Sequence, residues 1–212
     1  MILYHFSTSP FARRVRLALA HKHMPVELRD TRLDPAHLQE AQRLHPLHTV
    51  PVLVDGERAI CDSNVILQYI DRKQPSPPLW PAGLTGAEAF ELTAFADGAI
   101  TILADLGMRY APVQKEACFP PLREAMIARV QRALERLAEH AASRNGRVLC
   151  GDSWSAADMT VLTLVQWLEG LPLRAAKVPT AAAIVGLGWV LPAPLVSWAD
   201  AHRNRPDVVG LG

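Results

Sequence analysis

The chain has 212 residues, half of them hydrophobic, with 22 lysines and arginines against 21 aspartates and glutamates and a formal net charge of +1. That length can bury a sizeable core, as one large domain or two small ones. The near-neutral balance supplies no long-range field for nucleic acid or an anionic membrane. Cys61, Cys118 and Cys150 are far apart, with no C-x-x-C pair and no metal-ligand spacing to histidine, so no metal site is expected and a reduced, cytoplasmic chain is the simpler account.

The first ten residues, MILYHFSTSP, lack the basic-then-apolar order of a signal peptide, so secretion is not expected. Ile2 to Phe6 reads as a short apolar strand. From Phe11 onward, Ala12, Val15, Ala18 and Leu19 recur at helical spacing, which leaves Arg13, Arg14 and Arg16 as a solvated face. PVELRDT is a second strand, and PAHLQEAQRL a short helix opened by a proline. VPVLVDGERAIC reads as two strands about Asp55-Gly56, a dipeptide that tolerates the positive φ of a tight hairpin. DSNVILQYIDRK follows as a helix expected to bury Val65, Ile66, Tyr69 and Ile70.

The order is βαβαββα, giving an α/β unit over residues 1–74. The proline-rich stretch 75–84, which lacks the donors for a helix or ladder, is a linker. Residues 85–212 read as an all-α second domain. GAEAFELTAFADGAITILADLGMRYA is a long helix, and Ile127, Val130, Leu134, Leu137 and Ala141 mark the buried face of a second. SAADMTVLTLVQWL is apolar nearly all round, as a central helix should be, and Ser155 with Asp158 forms a capping box at its start. Val178 to Trp198 carries no charge and is long enough to span a bilayer. Three prolines and two glycines interrupt it, so the expectation is a buried loop and helix, not a membrane segment.

Three stretches carry the chemistry. In a βαβαββα unit, Ser9 before the first helix, Val50-Pro51 before the hairpin and Asp62-Ser63 before the third helix fall along one edge of the sheet. Each has an ordinary reading by itself: Ser9 caps a helix, Pro51 sits on an edge strand, and Asp62 and Ser63 punctuate a helix start. Together, with this spacing, they favour a ligand site.

The combination of SPFARRVRLAL, HPLHTVPVLVDG, CDSNVILQYID, GDSWSAADMTV and the closing WADAHRNRP resembles the cytosolic glutathione transferase superfamily over essentially the whole chain, and its serine-type zeta, tau and bacterial members most. The resemblance implies a thioredoxin-like first domain, an all-helical second domain, a cis proline at Pro51, a homodimer, and glutathione as co-substrate. It implies that Ser9 donates its hydroxyl hydrogen to the glutathione sulfur, stabilising a thiolate that attacks a small hydrophobic electrophile. Val50 would pair through its main chain with the cysteinyl part, and Asp62 and Ser63 would hold the γ-glutamyl end. Many relatives have a lysine where Thr49 stands, so a charge-assisted contact is lost, glutathione affinity is expected to be weak, and His48 or His37 is a substitute donor. Tyr4 is the rival hydroxyl, with Ser7 and Thr8 as further ones. Cys61 reads as a packed apolar residue and not as a nucleophile. The electrophile is expected between the domains, near Met108 to Val113. Isomerase, peroxidase or dehalogenase chemistry, or a non-catalytic binding protein on the same scaffold, are the alternatives.

Overall fold

A computed structural model describes residues 1–209, so the last three residues of the expected second domain lie outside the described residues. The chain opens with β1 (Ile2–His5), α1 (Pro10–His21), β2 (Glu27–Asp30), α2 (Pro35–Leu44), β3 (Val52–Asp55), β4 (Arg58–Cys61) and α3 (Ser63–Lys73). The four strands form one sheet in the order β2-β1-β3-β4. β1 and β2 run parallel, as a strand-helix-strand crossover requires, while β1/β3 and β3/β4 are antiparallel. Gly56, at φ +61°, takes the left-handed conformation that turns β3 into β4. The fold is the thioredoxin-like arrangement expected, followed by a mostly helical region.

That region holds α4 (Gly83–Ala104), α5 (Phe119–Ser143), α6 (Ala156–Ala175), α7 (Pro179–Val185), α8 (Ala193–His202) and α9 (Pro206–Val209). Among the described residues no helix is long and apolar enough to cross a membrane. α6 is the central element: Met159, Val161, Leu162, Leu164, Val165 and Leu168 are all fully buried. It packs against α4, α7 and α8, and also against α1 of the α/β unit. Its capping box forms, with Asp158 accepting from the Ser155 amide at 2.9 Å, the Ser155 hydroxyl at 2.6 Å and the Leu149 amide at 2.7 Å. One apolar cluster therefore runs from Leu3 and Val15 through Leu92 and Leu103 to Trp198 and Val208.

The helix faces depart from the sequence reading in two places. On α3 the buried apolar residues are Ile66, Leu67 and Ile70, while Val65 is exposed. On α1, Arg14 and Arg16 are buried, not solvated. The apolar stripe had been placed correctly, but α1 lies between the sheet and the helical region, so the opposite face is covered too.

Pro25 ends the turn after α1, and buried Lys22 fixes the chain between α3 and α4. Its ammonium pairs with Asp71 at 2.9 Å and donates to the carbonyls of Gln74 and Pro77. At the far end of α4 the helix widens into a π-helical turn, Asp105–Arg109. Gly107 lets this turn approach α7: a Cβ there would lie 2.2 Å from Ile184 Cγ1.

Candidate active site

A cavity of about 520 Å³ opens where the sheet edge meets α4, the π-helical turn, α6 and α7. Ser9, Val50, Pro51, Asp62 and Ser63 all line it. Two helix N-termini, those of α1 and α3, converge on it, and their exposed amide ends present partial positive charge.

Ser9 is the N-cap of α1. Its Oγ accepts from the Ala12 amide at 3.2 Å, and the residue is buried. Accepting with oxygen leaves the hydroxyl hydrogen to donate, so capping and ligand chemistry are compatible in one side chain. The Val50–Pro51 peptide is cis. Val50 lies just beyond the β1/β3 ladder, and its main chain makes no hydrogen bond among the described residues. Its amide and carbonyl are thus open to an extended ligand strand.

Asp62 caps α3 from a left-handed backbone, φ +70°, and its Oδ1 accepts from the Asn64 and Val65 amides at 2.8 and 3.2 Å. Oδ2 has no hydrogen-bond partner among the described residues. Ser63 is buried, and its Oγ accepts from Arg14 Nη2. Arg14 also forms an ion pair with Asp97 on α4 at 2.8 Å, at an angle short of a hydrogen bond, while Asp97 takes a hydrogen bond from Asn64 Nδ2. Ser63 therefore keeps its own O–H free for an acceptor. Arg16 stabilises the loop before Ser9 by donating to the Ser7 carbonyl at 2.8 Å.

Two of the three rival donors lie off the cavity. Tyr4 is buried on the α2 side of the sheet with Ala41 and Val52, and its hydroxyl accepts from Arg29 at 2.9 Å. It does not line the cavity, and neither does Ser7. Thr8 does; its Oγ1 accepts from Arg32 Nη1 at 3.0 Å, which leaves its O–H, like that of Ser9, able to donate. Cys61 also lies off the cavity; burial and the neighbouring Asp62 carboxylate push its thiol up, away from nucleophilic use.

His48 and His37 are not cavity residues. His45 is, and sequence reasoning missed it. Its Nδ1 accepts the Leu47 amide at 3.0 Å, which leaves Nε2 as the protonated nitrogen, donating to Thr49 Oγ1 at 3.0 Å. Burial lowers the His45 pKa, consistent with this neutral tautomer. The Thr49 hydroxyl is thus left with a hydrogen to offer the cavity. The four-residue spacing of His45 and Thr49 was the available signal, hidden because the intervening chain is not helical.

The other half of the cavity is apolar, with Phe6, Phe11, Met108, Trp167, Leu171 and Ile184 among its walls. Met108 and Arg109 lie where the sequence placed the second pocket, but Val113 does not; α7 supplies that wall instead. Arg32, Arg109 and Arg174 rise among these apolar groups. Arg32 stacks 3.9 Å from the Phe6 ring centre, and Arg174 donates to the Gly170 carbonyl at 2.9 Å. Burial lowers the Arg174 pKa, and repulsion from Arg32 lowers it further.

A thioredoxin-like sheet with a cis proline, two helix N-termini at one cavity and a helical region closing it define a protein of the glutathione transferase class. A family model for the glutathione S-transferase N-terminal domain matches residues 3–78. A zeta-class glutathione S-transferase from Euphorbia esula is 31% identical, over 74% of this chain and 71% of its own length. A probable maleylacetoacetate isomerase from Vibrio cholerae is 28% identical over 98% of both chains. Among solved structures, a glutathione S-transferase from Methylobacillus flagellatus with glutathione bound superposes with a TM-score of 0.74 at 25% identity, covering 100% of this chain and 98% of that one. One from Methylobacterium radiotolerans, in complex with glutathione sulfonate, gives 0.75 at 24% identity, over 99% and 92%. The chain belongs to the glutathione S-transferase family.

Proposed function

We propose that this enzyme binds glutathione along the sheet edge and uses Ser9 to activate its thiol for addition to a small hydrophobic electrophile. The supporting observation is the convergence of Ser9, Val50, Pro51, Asp62 and Ser63 on one cavity at the N-termini of α1 and α3. When bound, glutathione supplies the nucleophilic sulfur. Ser9 donates its free O–H to that sulfur, and the α1 terminus adds positive potential, so the thiolate is favoured over a thiol whose ordinary pKa is about 8.5. The Val50 main chain pairs with the cysteinyl unit. Asp62 Oδ2 takes the glutamyl ammonium, and the Ser63 O–H with the first α3 amides takes its carboxylate. Thr49, oriented by His45, stands in for the lysine of many relatives at the glycine carboxylate.

The relative structures with bound glutathione or glutathione sulfonate favour the same ligand for this chain. The apolar wall of Phe6, Phe11, Met108 and Trp167 is the proposed seat of the electrophile. Residues 1–74 and 85–212 are proposed as the two domains, and the homodimer as the assembly; exposed Val65, Leu84 and Phe90 on α3 and α4 supply apolar surface for it.

A second reading has one specific observation behind it. Arg32 and Arg174, beside the apolar groups of a cavity that the paired Asp105 and Arg109 also line, suit an electrophile that carries a carboxylate, and glutathione-dependent isomerisation of an unsaturated acid would use the same thiolate. The name of the Vibrio cholerae relative points the same way.

The test is conjugation of an aryl halide with wild type and Ser9→Ala, together with the ultraviolet absorbance of bound thiolate against pH. Ser9→Ala should raise the bound thiol pKa and lower the rate at neutral pH by roughly 10²-fold, with glutathione still bound by calorimetry. Full rate and an unchanged thiol pKa in the variant would refute the role of Ser9. Loss of Arg174 as Arg174→Gln should slow an unsaturated carboxylate substrate and spare the aryl halide, if the second reading holds.

A further inference from the structure

A second cluster of reactive side chains lies away from the glutathione cavity. Glu88 on α4, His140 on α5 and Cys150 in the turn before α6 bring a carboxylate oxygen, an imidazole nitrogen and a thiol sulfur within 4.8 Å of one another. We propose that these three residues form a binding site for a thiophilic divalent cation of the zinc class.

The imidazole is already arranged as a ligand. His140 Nε2 donates to the Leu149 carbonyl at 2.8 Å, which leaves the Nδ1 lone pair facing Glu88 Oε1, 3.7 Å away. A histidine that donates its other N–H to a fixed carbonyl is the usual partner arrangement behind a metal ligand. The Leu149 peptide is itself held, since its amide donates to Asp158 in the capping box of α6 at 2.7 Å. Arg144 pins the same turn by donating to the Val148 and Gly151 carbonyls at 2.8 and 3.0 Å. The cluster therefore joins α4, α5 and the start of α6 through a rigid surrounding shell.

Distances and charge suit a small dication. Bonds of about 2.0–2.3 Å in tetrahedral geometry separate ligand atoms by roughly 3.3–3.8 Å, so a cluster whose ligand atoms lie within 4.8 Å needs to contract by at most about 1.5 Å. One carboxylate and one thiolate cancel the charge of a dication, which lowers the penalty of placing it beside the fully buried Cys150. Without a cation, burial and the Glu88 and Asp158 carboxylates push the Cys150 thiol up to about 12, so it is a neutral S–H donor. On binding, the metal–sulfur bond replaces the S–H bond, and the proton leaves to solvent past the exposed Glu88. Three protein donors leave a fourth coordination place for water. No spacing pattern marks the cluster, because residues 88, 140 and 150 meet only through the packing of α4 on α5.

Cobalt(II) reports thiolate ligation by colour. Titrated into the full-length protein stripped of metals with a chelator, it should bind one equivalent per chain and develop a thiolate-to-cobalt charge-transfer band that zinc abolishes. Cys150→Ala should remove the band, and the surface substitution Glu88→Gln should weaken cobalt binding at least about tenfold. Zinc should raise the melting temperature of wild type and not that of Cys150→Ala. The conjugation activity of the metal-free protein should be the same in wild type and Glu88→Gln. Absence of the band in wild type at saturating cobalt, an undiminished band in Cys150→Ala, or an unchanged cobalt affinity in Glu88→Gln would overturn the site.

Discussion

Arg14 on α1 and Asp97 on α4 form an ion pair at 2.8 Å, and the same guanidinium holds the hydroxyl of Ser63. The pair links the α/β unit to the helical region directly beneath the proposed glutamyl subsite. Arg14→Met leaves the partly exposed Asp97 carboxylate with only its Asn64 bond and Ser63 without its donor, so it should destabilise the fold by about 1–3 kcal/mol. Combining it with Asp97→Leu should restore part of that loss. Urea unfolding of the single and double variants checks both; equal stabilities would mean that the pair carries no coupling.

Asp62 caps α3 through Oδ1 and is proposed to hold the glutamyl ammonium through Oδ2, and Asn separates the two roles. Asn caps a helix as well as Asp does, so Asp62→Asn should leave the melting temperature within a degree or two of wild type. It removes the charge that faces the ammonium, so KM for glutathione should rise roughly tenfold, about 1.4 kcal/mol, with kcat little changed. A fall in kcat at constant KM would contradict this division of labour.

On the proposed assignment, Thr49 in place of a lysine should limit glutathione affinity. Thr49→Lys should tighten glutathione binding by about tenfold through a charge-assisted contact, and Thr49→Val should weaken it a few-fold. Isothermal calorimetry reads both. If lysine brings no gain, the glycine carboxylate lies elsewhere in the cavity.

Stability should fall on mild acidification. His5 and His202 are buried, and desolvation holds both imidazoles below the ordinary 6.5. In the window from 6.5 down to those lowered native values the unfolded chain binds protons that the native state does not. Stability therefore rises with pH across that window, by up to about 1.4 kcal/mol per pH unit for each group. Asp158 acts oppositely: burial raises its pKa above 3.8, so proton uptake there favours the native state. Melting temperatures measured from about pH 7.5 to about pH 5.5 should drop, and His202→Gln should flatten the slope. A profile level across this range would remove the histidines as its cause.

Much of this protein is local and was therefore legible. Helical spacing in α1 and α5, the proline at the first turn of α2, the glycine of the β3–β4 turn and the Ser155–Asp158 box each act within a few residues, and the chain places each where its pattern indicates. The five residues of the sheet edge were legible jointly, because a βαβαββα order forces three separated helix and strand starts to one side. Burial of Arg14 and Arg16 was not, since it follows from α6 covering the far face of α1. Nor was the bond that makes His45 the orienting partner of Thr49, the wall that α7 adds to the cavity, or the meeting of Glu88, His140 and Cys150. Those relations depend on where distant helices come to rest, and only the packed core fixes that.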